Sequence, residues 1–424
     1  MLTKAPRGTR DILPDEVYKW NYVEKEFSEL CKRFGYKEIR IPVFEHTELF
    51  QRGVGNTTDI VQKEMYTFLD KGGRSITLRP EGTAGVVRSY IEHGMSSLPQ
   101  PVKLFYQISA YRYEKVQAGR YREFHQFGVE LLGAKSPSAD AEVISILALY
   151  FDRLGIKNLE LNINSIGCPE CRSKYNEILK DYLKDKIDSM CPTCQDRYNR
   201  NPLRILDCKE EKCQEVVKNA PSLLDHICDE CKKHFEAVLE RLSIMGIPFN
   251  VDKGIVRGLD YYTKTVFEFV SKNIGSQGTV CGGGRYDGLV EDCGGAPTPG
   301  IGFALGVERL LLELNSQGIE IPEPEAPDIY IASIGNKADL ICEKLAWQLR
   351  EKNITCIKDI MDRSIKAQMK YADKIGARYV LVLGDNEIES NKAELRDMET
   401  GDTKVISLDT LVDRLVKIKC EGSL

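Results

Sequence analysis

No apolar run in this 424-residue chain approaches the roughly 18 residues that cross a membrane. Its first residues, MLTKAPRGTRDILPDE, lack the apolar core of a secretory leader. Cytoplasm, with no membrane partner, is the expected setting. Two phosphate-binding signatures are also missing: there is no P-loop pattern, and no strand runs into a GxGxxG turn. Any phosphate must then be held by side chains, arginines above all. A large charge of one sign is absent too. The net charge of −5 does not advertise a nucleic-acid partner, nor does it exclude one, because local basic patches set phosphate contacts.

What is present is ordinary in bulk. Hydrophobic residues at 42% and charged residues at 29% match a globular protein, and 424 residues exceed one core, so two or three domains are expected. Fourteen cysteines are less ordinary. A reducing compartment disfavours disulfides, so clustered cysteines point to metal.

Residues 15–35 predict an amphipathic helix. Trp20, Val23, Phe27, Leu30 and Phe34 recur at three- and four-residue steps, and Gly35 ends the run. A strand is expected from Glu38 to Phe44, where Pro42 places it at an edge facing solvent or another chain. Lys103–Tyr113 and Tyr121–Leu132 alternate as strands around the polar turn EKVQAGR, a long antiparallel hairpin. From residue 165 to about 245, cysteine pairs and dense charge mark an inserted module. Strands resume near Val256, followed by SQGTVCGGGRYDG, and Gly300–Leu314 reads as a strand running into a helix. The stretch GIEIPEPEAPD, with Pro322, Pro324 and Pro327, is a semi-rigid linker. Beyond it, strand, helix, strand, helix and strand alternate, predicting a separate α/β domain of about 95 residues.

Within YREFHQFGVELLG, residues Phe127, Val129 and Leu131 alternate with Gln126, Gly128 and Glu130. A period of two puts Gln126 and Glu130 on one face, flanking a residue with no side chain. Such a surface suits a small polar ligand lying flat on a sheet. The stretch VRGLDYYTKTVFEF adds Arg257, Asp260 and paired tyrosines on another strand. Together they point to an amino acid and a phosphate sharing one site.

Arg112 leaves the first hairpin strand beside its loop, Arg257 opens RGLDYY, and Arg309 lies near a helix start, which itself favours anions. The planar arginine fork stays charged and grips phosphate oxygens in pairs. A lone arginine on a strand is ordinarily solvated or salt-bridged. Three of them, with glycines and paired aromatics, suit an adenylating site. There a carboxylate attacks the α-phosphorus of ATP without a protein nucleophile, and catalysis is positioning and charge stabilisation, helped by Mg²⁺. The glycine-rich residues 275–295 read equally as β-turns or as backbone approaching a ligand. Arg88 and His93 are expected at the surface of a helix after LRPEGTAG. Glu81 and Thr83 precede that helix, where Thr83 suits a cap and Glu81 a ligand.

Taken together, RGTRDILP, RIPVFEHTELF, LRPEGTAG, YRYEKVQAGRYREFHQFGVELLG, RGLDYYTKTVFEF and GIGFALGVERL resemble the histidyl-tRNA synthetases, a class II aminoacyl-tRNA synthetase family. RGLDYYT and FHQFGVE are the specific segments; GIGFALGVERL alone indicates only the class. The resemblance implies an α+β catalytic domain on an antiparallel sheet over residues 1–325. It also implies dimerisation through RIPVFEHTELF and an anticodon-binding domain at 326–424. Its substrates would be ATP with Mg²⁺, L-histidine and tRNA(His). By the same resemblance, Arg112 would contact the α-phosphate, Arg309 the nucleotide's tail, and Arg257 would be the catalytic cation. Glu81, Thr83 and Gln126 would bind the α-amino group, and Gly82 would belong to the same histidine site. Glu130 and Tyr262 would meet the imidazole, with Tyr261 lining the pocket. Gln117, Arg120 and Arg122 would face the acceptor end of tRNA.

Zinc is suggested by spacing and not by the resemblance. Cys168-x2-Cys171-x19-Cys191-x2-Cys194 fits a four-cysteine site, and Cys208-x4-Cys213-x14-Cys228-x2-Cys231 makes a looser second set in the helical insertion at about 168–245. Reduced, structurally neutral thiols are the alternative. Pairs can also be exchanged between sites, and His226 or His234 can replace a ligand. A closed shell of this kind folds a module and does not catalyse. Two other readings compete for the whole chain. A non-catalytic paralogue resembling the regulatory subunit of ATP phosphoribosyltransferase would usually lack RGLDYY and the last domain, both present here. A zinc-dependent nucleic-acid binder would leave the arginines and the Gln–Gly–Glu face unexplained.

Overall fold

The computed structural model describes residues 3–55, 58, 60–208, 210–256, 259–275 and 278–421. The chain divides into two compact units, Met1–Pro322 and Glu323–Leu424, within the proline-bearing stretch.

In the first unit α1 (Pro14–Arg33) starts on a proline, whose missing N–H has no helical partner to lose. It buries Trp20, Val23, Phe27, Leu30 and Cys31, and stops before Gly35, whose φ of +80° a side chain would resist. The single strand expected from Glu38 to Phe44 is instead two short ones, β1 (Lys37–Glu38) and β2 (Phe44–His46), in different sheets. Pro42 lies between them, where its missing donor breaks no ladder. Next come α2 (Thr47–Val54), β3 (Thr67–Leu69), β4 (Ser75–Leu78) and α3 (Thr83–Glu92). The predicted hairpin is β5 (Val102–Tyr111) and β6 (Glu123–Leu132), followed by α4 (Pro137–Arg153) and β7 (Glu160–Ser165).

The insertion is helical: α5 (Pro169–Leu183), α6 (Pro192–Arg200), α7 (Glu211–Val217) and α8 (Asp229–Ile244). After it run β8 (Asn250–Val251), β9 (Thr263–Val270), β10 (Thr279–Arg285), α9 (Leu289–Asp292), β11 (Gly300–Gly306) and α10 (Val307–Ser316). Among the described residues eight strands join in the order β1-β5-β6-β11-β10-β9-β7-β8, and β2-β4-β3 form a small sheet. Every interior pair of the large sheet is antiparallel; only its two edge pairs, β1 with β5 and β7 with β8, are parallel.

Alternation decides which face does what. Phe127, Val129 and Leu131 of β6, with Ile301, Phe303 and Leu305 of β11, share one core with Trp20, Phe27 and Tyr150 from the covering helices. Each such side chain contributes roughly 1.5–3 kcal/mol by leaving water. The opposite face is left for polar work. There the register sets Gln126, Gly128 and Glu130 against Gly306, Ala304 and Gly302. A side chain at Gly302 is excluded, since its Cβ would stand 2.0 Å from Glu130 Oε2. The glycine-rich run is not a series of turns: Thr279–Arg285 form the strand β10 in mid-sheet. A Cβ at Gly283 would lie 2.3 Å from the Gly302 carbonyl oxygen and one at Gly284 2.6 Å from that of Thr265, so these two serve strand-to-strand approach, whereas Gly282 lines a cavity on the polar face.

In the second unit β12 (Ile329–Ser333), α11 (Asn336–Glu351), β13 (Cys356–Lys358), α12 (Ile365–Lys374) and β14 (Tyr379–Leu383) alternate as predicted. α13 (Asp385–Ser390), β15 (Lys392–Asp397), β16 (Thr403–Ser407) and α14 (Leu411–Glu421) extend it, giving the order β13-β12-β14-β15-β16 with β15 and β16 antiparallel. The alternation of KAELRD, with Ala393 and Leu395 inward, carried the signal for β15. Among the described residues no helix is long and apolar enough to cross a membrane.

Candidate active site

The polar face of the sheet carries a cavity. Glu81, Thr83, Gln126, Tyr261 and Tyr262 line it together with Arg112, Arg120 and Arg309. The expected segments therefore converge, although Arg257 lies outside the described residues. Its neighbour Leu259 lines the same cavity.

The cations come from the ends of strands. Arg112 follows β5 and donates from Nε to the Pro80 carbonyl oxygen at 2.8 Å, its guanidinium lying 5.3 Å from the Phe124 ring centre. Arg309, in the first turn of α10, donates from Nη1 to the Thr279 carbonyl oxygen at 2.5 Å. Burial holds Arg309 below the usual arginine range, and the charges of Arg120 and Arg112 push the same way. Cations gathered at such cost suit a polyanion, whose arrival relieves their mutual repulsion. Glu114 is the local counter-charge, with Oε2 2.9 Å from Arg120 Nε.

The loop residues part company. Gln117 and Arg120 exchange backbone hydrogen bonds of 3.2 and 2.9 Å across a turn where Gly119 has φ +69°. Gln117 is exposed at that tip, while Arg120 turns into the cavity. Arg122 packs instead, its guanidinium 3.7 Å from the Tyr113 ring centre and its stem against Gly8. The space for that stem exists because Gly8 has no Cβ; one would stand 2.7 Å from Arg122 Cγ.

The cap of α3 is made by Glu81 and not by Thr83. Its two carboxylate oxygens accept from the backbone N–H of Thr83 at 2.7 Å and of Ala84 at 2.8 Å. Burial nevertheless raises the Glu81 carboxyl above the ordinary carboxylate range. Thr83 is thereby released, and its hydroxyl donates to Glu130 Oε1 at 2.8 Å. Gly82 between them is pressed against Tyr106, whose Cζ would lie 2.4 Å from a Cβ there.

Glu130 is fully buried, in a nest of hydroxyls and not in an apolar interior. Tyr106 donates to Oε1 at 3.3 Å and Tyr286 to Oε2, beside the bond from Thr83. Burial pushes the Glu130 carboxyl up to about 8; the Tyr286 and Thr83 hydroxyls pull it down, and the Glu81 charge pushes it up again. The open polar–Gly–polar face expected from alternation is not there. Tyr106 fills the space above Gly128, where a Cβ would stand 2.1 Å from Tyr106 Cζ. The glycine makes room for a tyrosine, and Glu130 lies below the cavity, behind Thr83 and Tyr286, which line it. Gln126 does reach the cavity, and its buried Oε1 has no hydrogen-bond partner among the described residues. An acceptor left unmatched in this way awaits a donor.

Tyr106 and Tyr286 escaped the sequence reading. The signal for Tyr106 was its place opposite Gly128 in the hairpin register, a large residue facing an empty one. Glu308, next to Arg309, accepts from His125 N at 3.0 Å and lies 2.9 Å from His125 Nδ1, stitching α10 to β6.

The eight insertion cysteines form two groups, but not in chain order. Cys168 and Cys171 meet Cys228 and Cys231, and Cys191 and Cys194 meet Cys208 and Cys213. The sequential quartets are thus replaced by exchanged pairs, because α8 brings the last knuckle back to the start of α5. Neither histidine joins them: His234 Nε2 lies 3.2 Å from Asp140, and His226 stands beside the Tyr175 ring.

Comparison with known proteins accords with this geometry. Residues 8–310 match the family model for histidyl-tRNA synthetase, and residues 328–418 that for an anticodon binding domain. A histidine–tRNA ligase of Acetivibrio thermocellus is 68% identical over 98% of this chain and 100% of its own. Another, from Caldanaerobacter subterraneus subsp. tengcongensis, is 58% identical over 97% and 99%. The crystal structure of apo S. aureus histidyl-tRNA synthetase superposes with a TM-score of 0.85 at 45% identity, covering 97% of this chain and 99% of that one. By these matches this chain belongs to the histidyl-tRNA synthetase family.

Proposed function

We propose that the chain activates L-histidine with ATP to histidyl-adenylate and transfers the histidyl group to the 3′ end of tRNA(His). The observation that carries this is one cavity lined both by an unmatched buried acceptor, Gln126 Oε1, and by Arg112, Arg120 and Arg309. The histidine α-amino group donates to Gln126, with Glu81 supplying a carboxylate beside it. Its carboxylate then faces the arginines, where it attacks the α-phosphorus and pyrophosphate leaves. Arg112 and Arg257 stabilise charge on the α-phosphate, and Arg309 holds the tail. Mg²⁺, when bound with ATP, supplies further neutralisation of the phosphates.

Glu130 and Tyr262 are assigned to the imidazole. Direct contact with Glu130 requires one of its cavity-side hydroxyls, Thr83 or Tyr286, to rotate away. A pocket that hydrogen-bonds both ring nitrogens rejects apolar isosteres strongly. Gln117 and Arg120 face the tRNA acceptor end from the hairpin loop; Arg122 supports that loop from behind. Glu323–Leu424 holds the anticodon, and the protein works in the cytoplasm as a homodimer.

The test is amino-acid-dependent ATP–pyrophosphate exchange across the standard amino acids. Only histidine should respond, and a regulatory paralogue would respond to none. In Arg257→Ala the exchange should fall by at least about 10²-fold, the scale of losing one stabilising charge, with an unchanged circular dichroism spectrum. Near-normal exchange in that variant would refute the catalytic role.

A further inference from the structure

We propose that the insertion holds two structural Zn²⁺ ions in nested order. Cys168, Cys171, Cys228 and Cys231 form an outer site, and Cys191, Cys194, Cys208 and Cys213 an inner one. Within each group all four sulfurs lie within 4.8 Å of one another. Zinc–sulfur bonds of about 2.3 Å in a tetrahedron separate sulfurs by about 3.8 Å. The Cys168–Cys171 and Cys191–Cys208 sulfur separations are 3.5 and 3.8 Å. Those distances are far beyond a disulfide bond of about 2.05 Å.

The surroundings are those of thiolates. Cys168, Cys191 and Cys228 each stand at the N-cap of a helix, α5, α6 and α8, where the dipole favours a negative sulfur. Backbone N–H groups point at sulfur across each site, Cys228 N to Cys171 Sγ at 3.1 Å and Cys191 N to Cys213 Sγ at 3.3 Å. Gly167, with φ +64°, brings the chain against the first knuckle, where its Cβ would stand 2.5 Å from that of Cys171. Each shell has four protein ligands and leaves no open position, so both ions are structural, and binding releases the thiol protons.

Nesting gives the ions different work. The outer ion joins the first turns of α5 and α8, the entry and exit of the insertion. The inner ion organises α6, α7 and the turns between them, two short helices whose buried residues are the ligands Cys194 and Cys213 themselves. Arg172, beside Cys171, donates to the Asp260 carbonyl oxygen at 3.3 Å, so the outer site borders the segment that carries Tyr261 and Tyr262.

Elemental analysis of the full-length chain, purified without chelator, should find about two zinc per chain; one or fewer overturns the proposal. Double variants test the nesting. Cys171→Ser with Cys231→Ser should remove one zinc, and Cys171→Ser with Cys194→Ser should remove both. The reverse pattern would support sequential quartets and sink the nested assignment. Should a variant fail to fold, the wild-type chain answers through stepwise chelation with thiol alkylation mapped by mass spectrometry. Cys168, Cys171, Cys228 and Cys231 should become reactive together; joint exposure of Cys168, Cys171, Cys191 and Cys194 would contradict the nesting.

Discussion

Glu130 shows how far a residue's chemistry depends on its surroundings. Its carboxyl stands at about 8 in the folded protein against 4.5 for the free group, because burial costs the charged form more than three hydroxyls return. The folded state therefore binds this proton more tightly than the unfolded chain. Stability contributed by Glu130 is complete below about pH 4.5 and declines as pH rises to about 8, on the order of a few kcal/mol. Glu130→Gln keeps the shape without the titration, so the variant should gain on the wild type between pH 5 and 8. Urea midpoints at the two pH values measure this, and parallel pH dependence in both proteins would contradict it. Such a pent-up carboxyl fits a substrate whose ring can take the proton.

Among the elements, β10 carries the consequence most easily tested. Arg285 at its end is fully buried and paired with Asp140 of α4, which also contacts His234 of α8 at 3.2 Å. Burial alone would raise the Asp140 carboxyl; the His234 hydrogen bond and the Arg285 charge outweigh it and hold it below the usual range. Removing Asp140 strips His234 of this carboxylate and leaves the buried Arg285 to the part-exposed Asp287, 3.0 Å away. Asp140→Ala should cost roughly 3–5 kcal/mol of unfolding free energy in urea, and a loss under about 1 kcal/mol would show that Asp287 alone compensates Arg285. Helix α1 and the β5–β6 hairpin were legible because their apolar periods of 3.6 and 2 are uninterrupted. The β10 strand was not: three successive glycines carry no period, and the closeness of β9 and β11 that explains Gly283 and Gly284 is tertiary.

At the scale of the molecule, apolar surface remains uncovered around the small sheet. Phe44, Phe68 and Leu69 are 56%, 47% and 71% exposed, and Val43 lies beside them. Val43 and Phe44 fall within RIPVFEHTELF, to which the resemblance gives dimerisation, and Phe68 and Leu69 belong to the same small sheet; a second copy would cover such exposure. Phe44→Glu should shift the mass seen by light scattering from two chains toward one. A mass unchanged at micromolar concentration would move the interface elsewhere.

Spacing along the chain was enough to establish the alternating faces of β6, the amphipathic α1, the α/β order of the second unit and the cysteine knuckles. Each of these depends on neighbours within a few residues. Tertiary structure alone decided which knuckles meet, since that depends on where α8 returns, 57 residues after Cys171 in the case of Cys228. It also decided that Tyr106 occupies the space over Gly128, that Arg122 packs on Gly8, and that Glu130 is closed in by hydroxyls. Local pattern says which way a side chain points; only the assembled fold says what is already there when it arrives.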